Sequence, residues 1–421
     1  MREVEVYFAS VQIISKQRCD ANEIDRKEYR MEDIVLVSGV RTAIGAFGGA
    51  LSETPASDLG AHVIREAVSR AGVNPVHVDQ VILGCVGQVA EDGYIARHAS
   101  VKGGMPITTP AYTVNRICGS GLEAINTAAR WLETDDAELI VAGGAENMSM
   151  MPFLLRKGRY GYRYGHDKLE DATMHLVTDP FESIQMGVTA ENLAEKYEIS
   201  REIQDEYSLR SQERAQAAIE AGYFKDQIAS MDVRKGRDTL TFDTDEHPRA
   251  TSMERLGTLR AAFRDGGTVT AGNSSGINDG AAAVVVTTAS KATQLGLKPQ
   301  LRLVARAESG VEPSIMGQGP IPAIEKVMER ANLTVEDMDV IELNEAFASV
   351  TAACSAVLNL PLDKTNPNGG AIALGHPVGA TGAILTVKLM HELERTGGRY
   401  GLVSLCIGGG QGIATIFERI S

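Results

Sequence analysis

Residues 118–146, "CGSGLEAINTAARWL…LIVAGGAE", and residues 378–412, "VGATGAILTVKLMHEL…LVSLCIGGGQG", follow one plan. Each opens on a turn of small residues, passes into a helical pattern and closes with an apolar run that ends in glycine. In the first copy Leu122, Ile125, Ala129 and Leu132 share one helical face. The scheme recurs about 260 residues later, so the economical reading is an internal duplication, at a period far too long for a solenoid. Around each copy, short β-branched runs alternate with helical patterns. "DIVLVSG", "VDQVILGCV" and "YTVNRIC" precede or enter the first copy, and "QLRLVARAES" and "MDVIELNEAF" precede the second. Strand–helix alternation of this kind predicts an α/β sheet covered by helices.

The residues between the copies have a different texture. Residues 148–277 hold the Met-, Tyr- and Arg-rich "MSMMPFLLRKGRYGYRYG", an acidic helical stretch and a polar "RKGRDTLTFDTDEHPRATS". The expected organisation is a first half over 31–147 with about 278–298, an inserted loop domain over 148–277, and a second half over 299–421. Residues 1–30 read as an extension. Its apolar "VYFASVQIIS" follows more acid than base and lacks a small-residue cleavage pattern, which argues against a signal or transit peptide.

Composition removes several function classes. The 421 residues are 43% hydrophobic and 23% charged, with a formal net charge of −14. An acidic balance argues against a nucleic-acid partner but leaves room for an anionic ligand on a local basic patch. No apolar run reaches the roughly 18 residues of a membrane span. The five cysteines, Cys19, Cys85, Cys118, Cys354 and Cys406, are scattered without a C-x-x-C pair. That fits a reducing, cytoplasmic setting and neither a zinc site nor a disulfide framework.

Four stretches carry candidate chemistry. Cys118 stands where a strand gives way to a helix. There the positive end of the helix dipole favours thiolate over thiol, and the following Gly-Ser-Gly lets a substrate approach closely. The competing reading is a small buried hydrophobe. In "GHPVGATGA", His376 is either a surface polar residue or the neutral base a cysteine nucleophile needs. In "SLCIGGGQG", Cys406 precedes a loop able to aim N–H groups at an oxyanion. A dinucleotide loop is excluded there, because too few residues remain for a βαβ unit. In "NEAFA", Asn344 either holds an ordered water or caps the next helix.

Together, CGSG, NEAF, GHPxGATG and CIGGGxG in this order resemble the thiolase family, the acyl-CoA acetyltransferases, from about residue 32 to the C-terminus. "GGAENMSMMP" (143–152) and "AGNSSGINDGAA" (271–282) extend the likeness. The resemblance implies duplicated βαβαβαββ halves in a five-layered α-β-α-β-α core. It makes Cys118 the acylated nucleophile and His376 its base, with a water on Asn344 completing one oxyanion hole. Cys406 becomes the acid–base thiol, and the N–H groups of Cys118 and Gly408 form the second hole. Ala271 and Ser275 match the pantetheine channel wall, and Arg249 the nucleotide end of coenzyme A. Met186, Met316, Phe347, Phe263 and Gln185 complete the substrate set. Arg234, Lys235 and Arg237 offer further positive charge.

The implied activity is reversible Claisen condensation of two acyl-CoAs, with acetyl-CoA and coenzyme A as substrates, no permanently bound cofactor and no metal. A homotetramer (a dimer of dimers) with a contact near 148–171 is implied as well. Gln185 stands where acetoacetyl-CoA specialists commonly carry histidine, which opens a preference for longer 3-ketoacyl chains. Residues 1–30 have no counterpart in the family pattern. A decarboxylating ketoacyl synthase is disfavoured, since those enzymes complete the site with two histidines. A non-catalytic acyl-CoA-binding relative would have lost Cys118, His376 or Cys406, and all three are present.

Overall fold

The computed structural model describes residues 32–420, so the expected extension over 1–30 lies outside the described residues. One sheet runs through residues 34–419, in the spatial order Val340–Leu343, Tyr400–Ile407, Gln411–Arg419, Leu301–Gly310, Ile34–Arg41, Asn278–Thr288, Leu139–Asn147, Gln80–Gly84 and Ala111–Val114. Its strands are β1 (Ile34–Arg41), β2 (Gln80–Gly84), β3 (Ala111–Val114), β4 (Leu139–Asn147), β5 (Asn278–Thr288), β6 (Leu301–Gly310), β7 (Val340–Leu343), β8 (Tyr400–Ile407) and β9 (Gln411–Arg419). A two-residue strand at Gly45–Ala46 pairs with β5.

The duplication is visible in the pairing. In the first half β1 is antiparallel to β5, β5 antiparallel to β4, and β4 parallel to β2. In the second, β6 is antiparallel to β9, β9 antiparallel to β8, and β8 parallel to β7. The halves join edge to edge through only two register pairs, Val35 with Arg302 and Leu36 with Leu301. Strands β4 and β5 are buried throughout, as expected for runs covered on both faces.

Helices α1 (Ala56–Ala71) and α2 (Ile95–Lys102) cover the outer face of the first half, and α6 (Pro320–Ala331) that of the second, with α7 (Ala348–Leu358) packed against α6. Between them lie α3 (Ser120–Glu133) and α8 (Thr381–Thr396), which touch each other and strands of both halves. This gives the five layers α-β-α-β-α. All four residues assigned to one face of α3, Leu122, Ile125, Ala129 and Leu132, are buried. Two further helices, α4 (Met186–Lys196) and α5 (Arg201–Ala221), belong to the segment between the halves.

Small residues allow the two central helices to meet at their first turns. A Cβ on Gly121 would lie 2.8 Å from the Ala383 backbone nitrogen and 3.0 Å from the Ala380 carbonyl oxygen, and one on Gly382 would collide with the Leu122 backbone. Polar contacts then fix α8 in depth. Lys388 is buried and donates to Glu342 on β7 and to the Gly369 carbonyl, each at 2.7 Å. A buried ammonium needs such partners, because removing one leaves an unpaired charge in a low dielectric.

Gly382→Ala is therefore expected to lower stability by about 1–3 kcal/mol, the usual cost of overpacking against backbone that cannot retreat. Gly257→Ala is the control, since an added Cβ there meets nothing within 4 Å. Urea midpoints of the two variants decide the point; equal midpoints would contradict the packing argument.

Candidate active site

The turn that carries Cys118 is over-determined. Ile117 has φ +46°, a left-handed conformation that strains a β-branched residue. Asn115 Oδ1 accepts the Ile117 N–H at 3.0 Å. Ser120 Oγ accepts the Arg116 N–H at 2.9 Å and donates to the Ile117 carbonyl at 2.6 Å. This stitching carries the chain from β3 into α3 with the Cys118 side chain facing a cavity of about 400 Å³. Backbone N–H groups of Gly408 and of Cys118 itself point at the sulfur.

Cys118 is partly open to the cavity yet densely surrounded by protein. Here the sequence-based expectation of a lowered thiol pKa is overturned. Burial pushes the Cys118 thiol up to about 11, and the two N–H donors offset only part of that rise. Desolvation of a thiolate outweighs the partial charges at a helix end. Cys406, fully buried, is raised well above the ordinary thiol range by burial, with the neighbouring Cys118 and Cys354 adding to it.

His376 reaches the same cavity from the second half. Gly375 before it has φ +107°, and a Cβ there would lie 2.5 Å from the Asn278 amide carbon, so this turn requires glycine. The His376 N–H donates to Asn278 Oδ1 at 2.9 Å. On the ring, Nδ1 lies 2.6 Å from Thr381 Oγ1, whose own proton goes to the Pro377 carbonyl at 2.9 Å. The hydroxyl must then accept, which places the imidazole proton on Nδ1 and leaves Nε2 unprotonated. Asn344 Nδ2 approaches that Nε2 at 3.4 Å, while Asn344 Oδ1 is buried without a partner among the described residues. Burial lowers the His376 pKa to about 4, so the ring is neutral over the ordinary range.

Of the two readings open for Asn344, helix capping fails: α7 begins after Phe347 with no side-chain cap. The cavity is lined by Cys118, His376, Gly408, Arg249, Phe263, Ala271, Ser275, Met186, Met316, Phe347 and Gln185, so these sequence-selected residues converge. Phe263 and Phe347 meet edge to face with ring centroids 6.1 Å apart. Asn344 and Cys406 do not line it; both are fully buried, Asn344 directly behind the His376 ring and Cys406 within electrostatic reach of Cys118. Arg234 and Arg237 sit exposed on the hairpin Met231–Lys235/Asp238–Phe242 and do not line the cavity.

The duplicated register shows what the first half does at the matching positions. Gly84 pairs with Gly144 as Leu343 pairs with Ser404. Cys85 and Glu146 of the first half therefore stand where Asn344 and Cys406 stand in the second. Glu146 accepts the Val86, Gly87 and Gly379 N–H groups, each at 2.9 Å, and so grips the loop that carries His376. Sequence reading missed Glu146, Thr381, Asn278 and His247. Thr381 alone left a usable signal, five residues after His376 at the opening of a helix.

Among the described residues no helix is long and apolar enough to cross a membrane. Residues 34–290 match the model of the thiolase N-terminal domain and residues 297–419 that of the thiolase C-terminal domain. The beta-ketothiolase BktB of Cupriavidus necator is 53% identical over 92% of this chain and 99% of its own. An acetyl-CoA acetyltransferase of Syntrophomonas wolfei is 46% identical over 92% and 99%. Among solved structures, the Bacillus anthracis acetyl-CoA acetyltransferase superposes with a TM-score of 0.91 at 46% identity, covering 93% of this chain and 99% of that one. Human mitochondrial 3-ketoacyl-CoA thiolase in complex with CoA gives 0.89 at 43% identity, covering 93% and 99%. Fold, duplicated halves and sequence thus agree that this chain belongs to the thiolase family.

Proposed function

We propose that the chain is an acetyl-CoA C-acetyltransferase that joins two acyl-CoAs, and in reverse cleaves a 3-ketoacyl-CoA with coenzyme A, through an acyl-enzyme on Cys118. The observation that carries this reading is one cavity where a thiol from the first half faces two N–H donors while an imidazole from the second half presents an unprotonated Nε2.

The chemistry follows from the ionisation states. A thiol near 11 and an imidazole near 4 rest as a neutral pair. Proton transfer to Nε2 therefore accompanies attack of Cys118 Sγ on the substrate carbonyl. The Sγ–C bond forms, the bond to coenzyme A sulfur breaks, and the departing sulfur takes the proton from the imidazole. In the second half-reaction Cys406, having passed its own proton to the imidazole, accepts an α-proton from the incoming thioester. The carbanion attacks the acyl carbon, the bond to Cys118 breaks, and the imidazole returns its proton to that sulfur. The Cys118 and Gly408 N–H groups stabilise one oxyanion. His376, with a water on the otherwise unpaired Asn344 carbonyl oxygen, stabilises the other; one lost donor of this kind typically costs about 3 kcal/mol.

Around this chemistry, Ala271 and Ser275 form the pantetheine wall, with Arg249 towards the nucleotide. Met186, Met316, Phe263 and Phe347 enclose the acyl group. A homotetramer is part of the reading, supported by the exposed Phe153, Leu155, Tyr160, Tyr162 and Tyr164 in the segment between the halves. The organisation into halves over 31–147 with about 278–298 and over 299–421, with an inserted 148–277, is supported by the repeated strand pairing.

Cys118→Ser is expected to abolish the covalent mass increase seen with acetyl-CoA, whereas Cys406→Ala retains it and loses condensation. Loss of the mass increase in both variants would overturn the division of labour. The two pKa values also fix a pH profile. The His376 pKa is depressed, so the base form persists until pH falls towards 4; the Cys118 pKa is raised, so the thiol persists until pH rises towards 11. Single-turnover acylation should be nearly flat from about pH 5 to about pH 10. A midpoint near the ordinary histidine value would contradict the burial argument.

A broader chain-length range is favoured by Gln185, which lines the cavity beside Met148 and Leu176 in place of an imidazole. Gln185→His should lower kcat/KM for 3-ketohexanoyl-CoA relative to acetoacetyl-CoA by about tenfold, in the range that modest changes in pocket shape produce. An unchanged ratio would remove Gln185 as a determinant.

A further inference from the structure

We infer that His247 is a substrate-positioning residue whose Nε2–H donates to an amide carbonyl of the pantetheine arm. The inference rests on the acyl-CoA reading above and adds a residue that the sequence motifs did not single out.

His247 sits in the cavity wall on the segment that carries Arg249, with its ring against the loop that carries Ser275. Its ring occupies a place that only glycine leaves open. A Cβ on Gly276 would collide with His247 Cε1 and lie 2.9 Å from Nδ1. The tautomer is then fixed by Asn278. Because Asn278 Oδ1 accepts the His376 N–H at 2.9 Å, its Nδ2 must be the atom that donates to the Gly45 carbonyl at 2.9 Å. The second Nδ2 hydrogen faces His247 Nδ1 at 3.3 Å, which must accept. A neutral imidazole that accepts at Nδ1 carries its proton on Nε2. Burial first, and then the charge of Arg249, lower the His247 pKa to about 4, so the ring is neutral over the working range.

Nε2 has no partner among the described residues, and it is not one of the buried polar atoms closed off from solvent. It is a donor of fixed direction opening on a largely apolar cavity. A few placed polar groups on an otherwise apolar wall are what orient a ligand. Of the pantetheine-wall side chains, Ala271 offers no donor and Ser275 a single hydroxyl, so His247 supplies a further donor for the two amide carbonyls of the arm, and a neutral N–H meets an amide oxygen without the desolvation cost of a charge. The same asparagine holds the His376 backbone, so the pantetheine contact and the base are set by one side chain.

The test compares His247→Phe, which keeps a ring in the space beside Gly276 and removes the donor, with His247→Gln, which restores an N–H. In thiolysis by the full-length enzyme, His247→Phe is expected to raise KM for coenzyme A about tenfold while kcat falls less than threefold, with His247→Gln recovering most of the loss. The same factor should appear in acylation by S-acetylpantetheine, which lacks the nucleotide. Alkylation of Cys118 by iodoacetamide, which has no pantetheine arm, should keep its rate. An unchanged KM in His247→Phe overturns the inference. So does an effect that vanishes with S-acetylpantetheine, which would assign it to Arg249, or a parallel loss of alkylation, which would make His247 a support of the catalytic loop. Parent enzyme without thiolysis would instead overturn the acyl-CoA reading itself.

Discussion

The contact on which the site depends is the meeting of two helix first turns, α3 at Gly121 and α8 at Gly382. Each glycine removes the one atom that would hold the other helix away. That approach brings the turn ending at Cys118 against the loop ending at His376, although the two are more than 250 residues apart in the chain. Everything chemical depends on it. The thiol comes from one half and the imidazole from the other, and neither half holds a complete pair. Lys388 and Glu146 reinforce the arrangement from opposite sides, the first tying α8 to β7 and the second tying the His376 loop to the first half.

Burial then decides the ionisation. Two N–H donors pull the Cys118 pKa down, yet desolvation pushes harder and the thiol stays protonated at rest. The same burial strips His376 of its proton affinity. A neutral resting pair suits a site where a thioester must enter through an apolar cavity. A standing thiolate–imidazolium pair would attract water and react with other electrophiles, whereas a neutral thiol becomes nucleophilic only as its proton leaves. In the proposed mechanism the N–H groups of Cys118 and Gly408 act on charge that appears during reaction rather than on charge held beforehand.

The duplicated fold and the four candidate stretches, three of them glycine-rich, were legible because their signals are local. Buried strands such as Leu139–Asn147 read as continuous apolar runs, and a turn that lets substrate approach backbone needs small residues whatever surrounds it. Cys118, His376 and Cys406 were found by that route, and Asn344 as an asparagine that closes a predicted buried strand and needs partners for its amide. The ionisation of Cys118 was not legible, since a helix end is visible in sequence while the depth of burial is a property of the assembled halves. Nor was the line from His247 through Asn278 to the His376 backbone. Asn278 is 31 residues from one partner and 98 from the other, and nothing local distinguishes it from other strand-opening asparagines. Ile117 gave no sign of its left-handed backbone either, because a β-branched residue at the end of a strand pattern argues for extended φ.

The neutral resting pair is the claim on which the mechanism turns, and nitrogen NMR of the enzyme with ¹⁵N-labelled histidine, assigned by His376→Asn, tests it most directly. At neutral pH the account predicts a His376 ring that is uncharged, protonated on Nδ1 and unprotonated on Nε2. Two equivalent protonated nitrogens, the signature of an imidazolium held beside a thiolate, would contradict it.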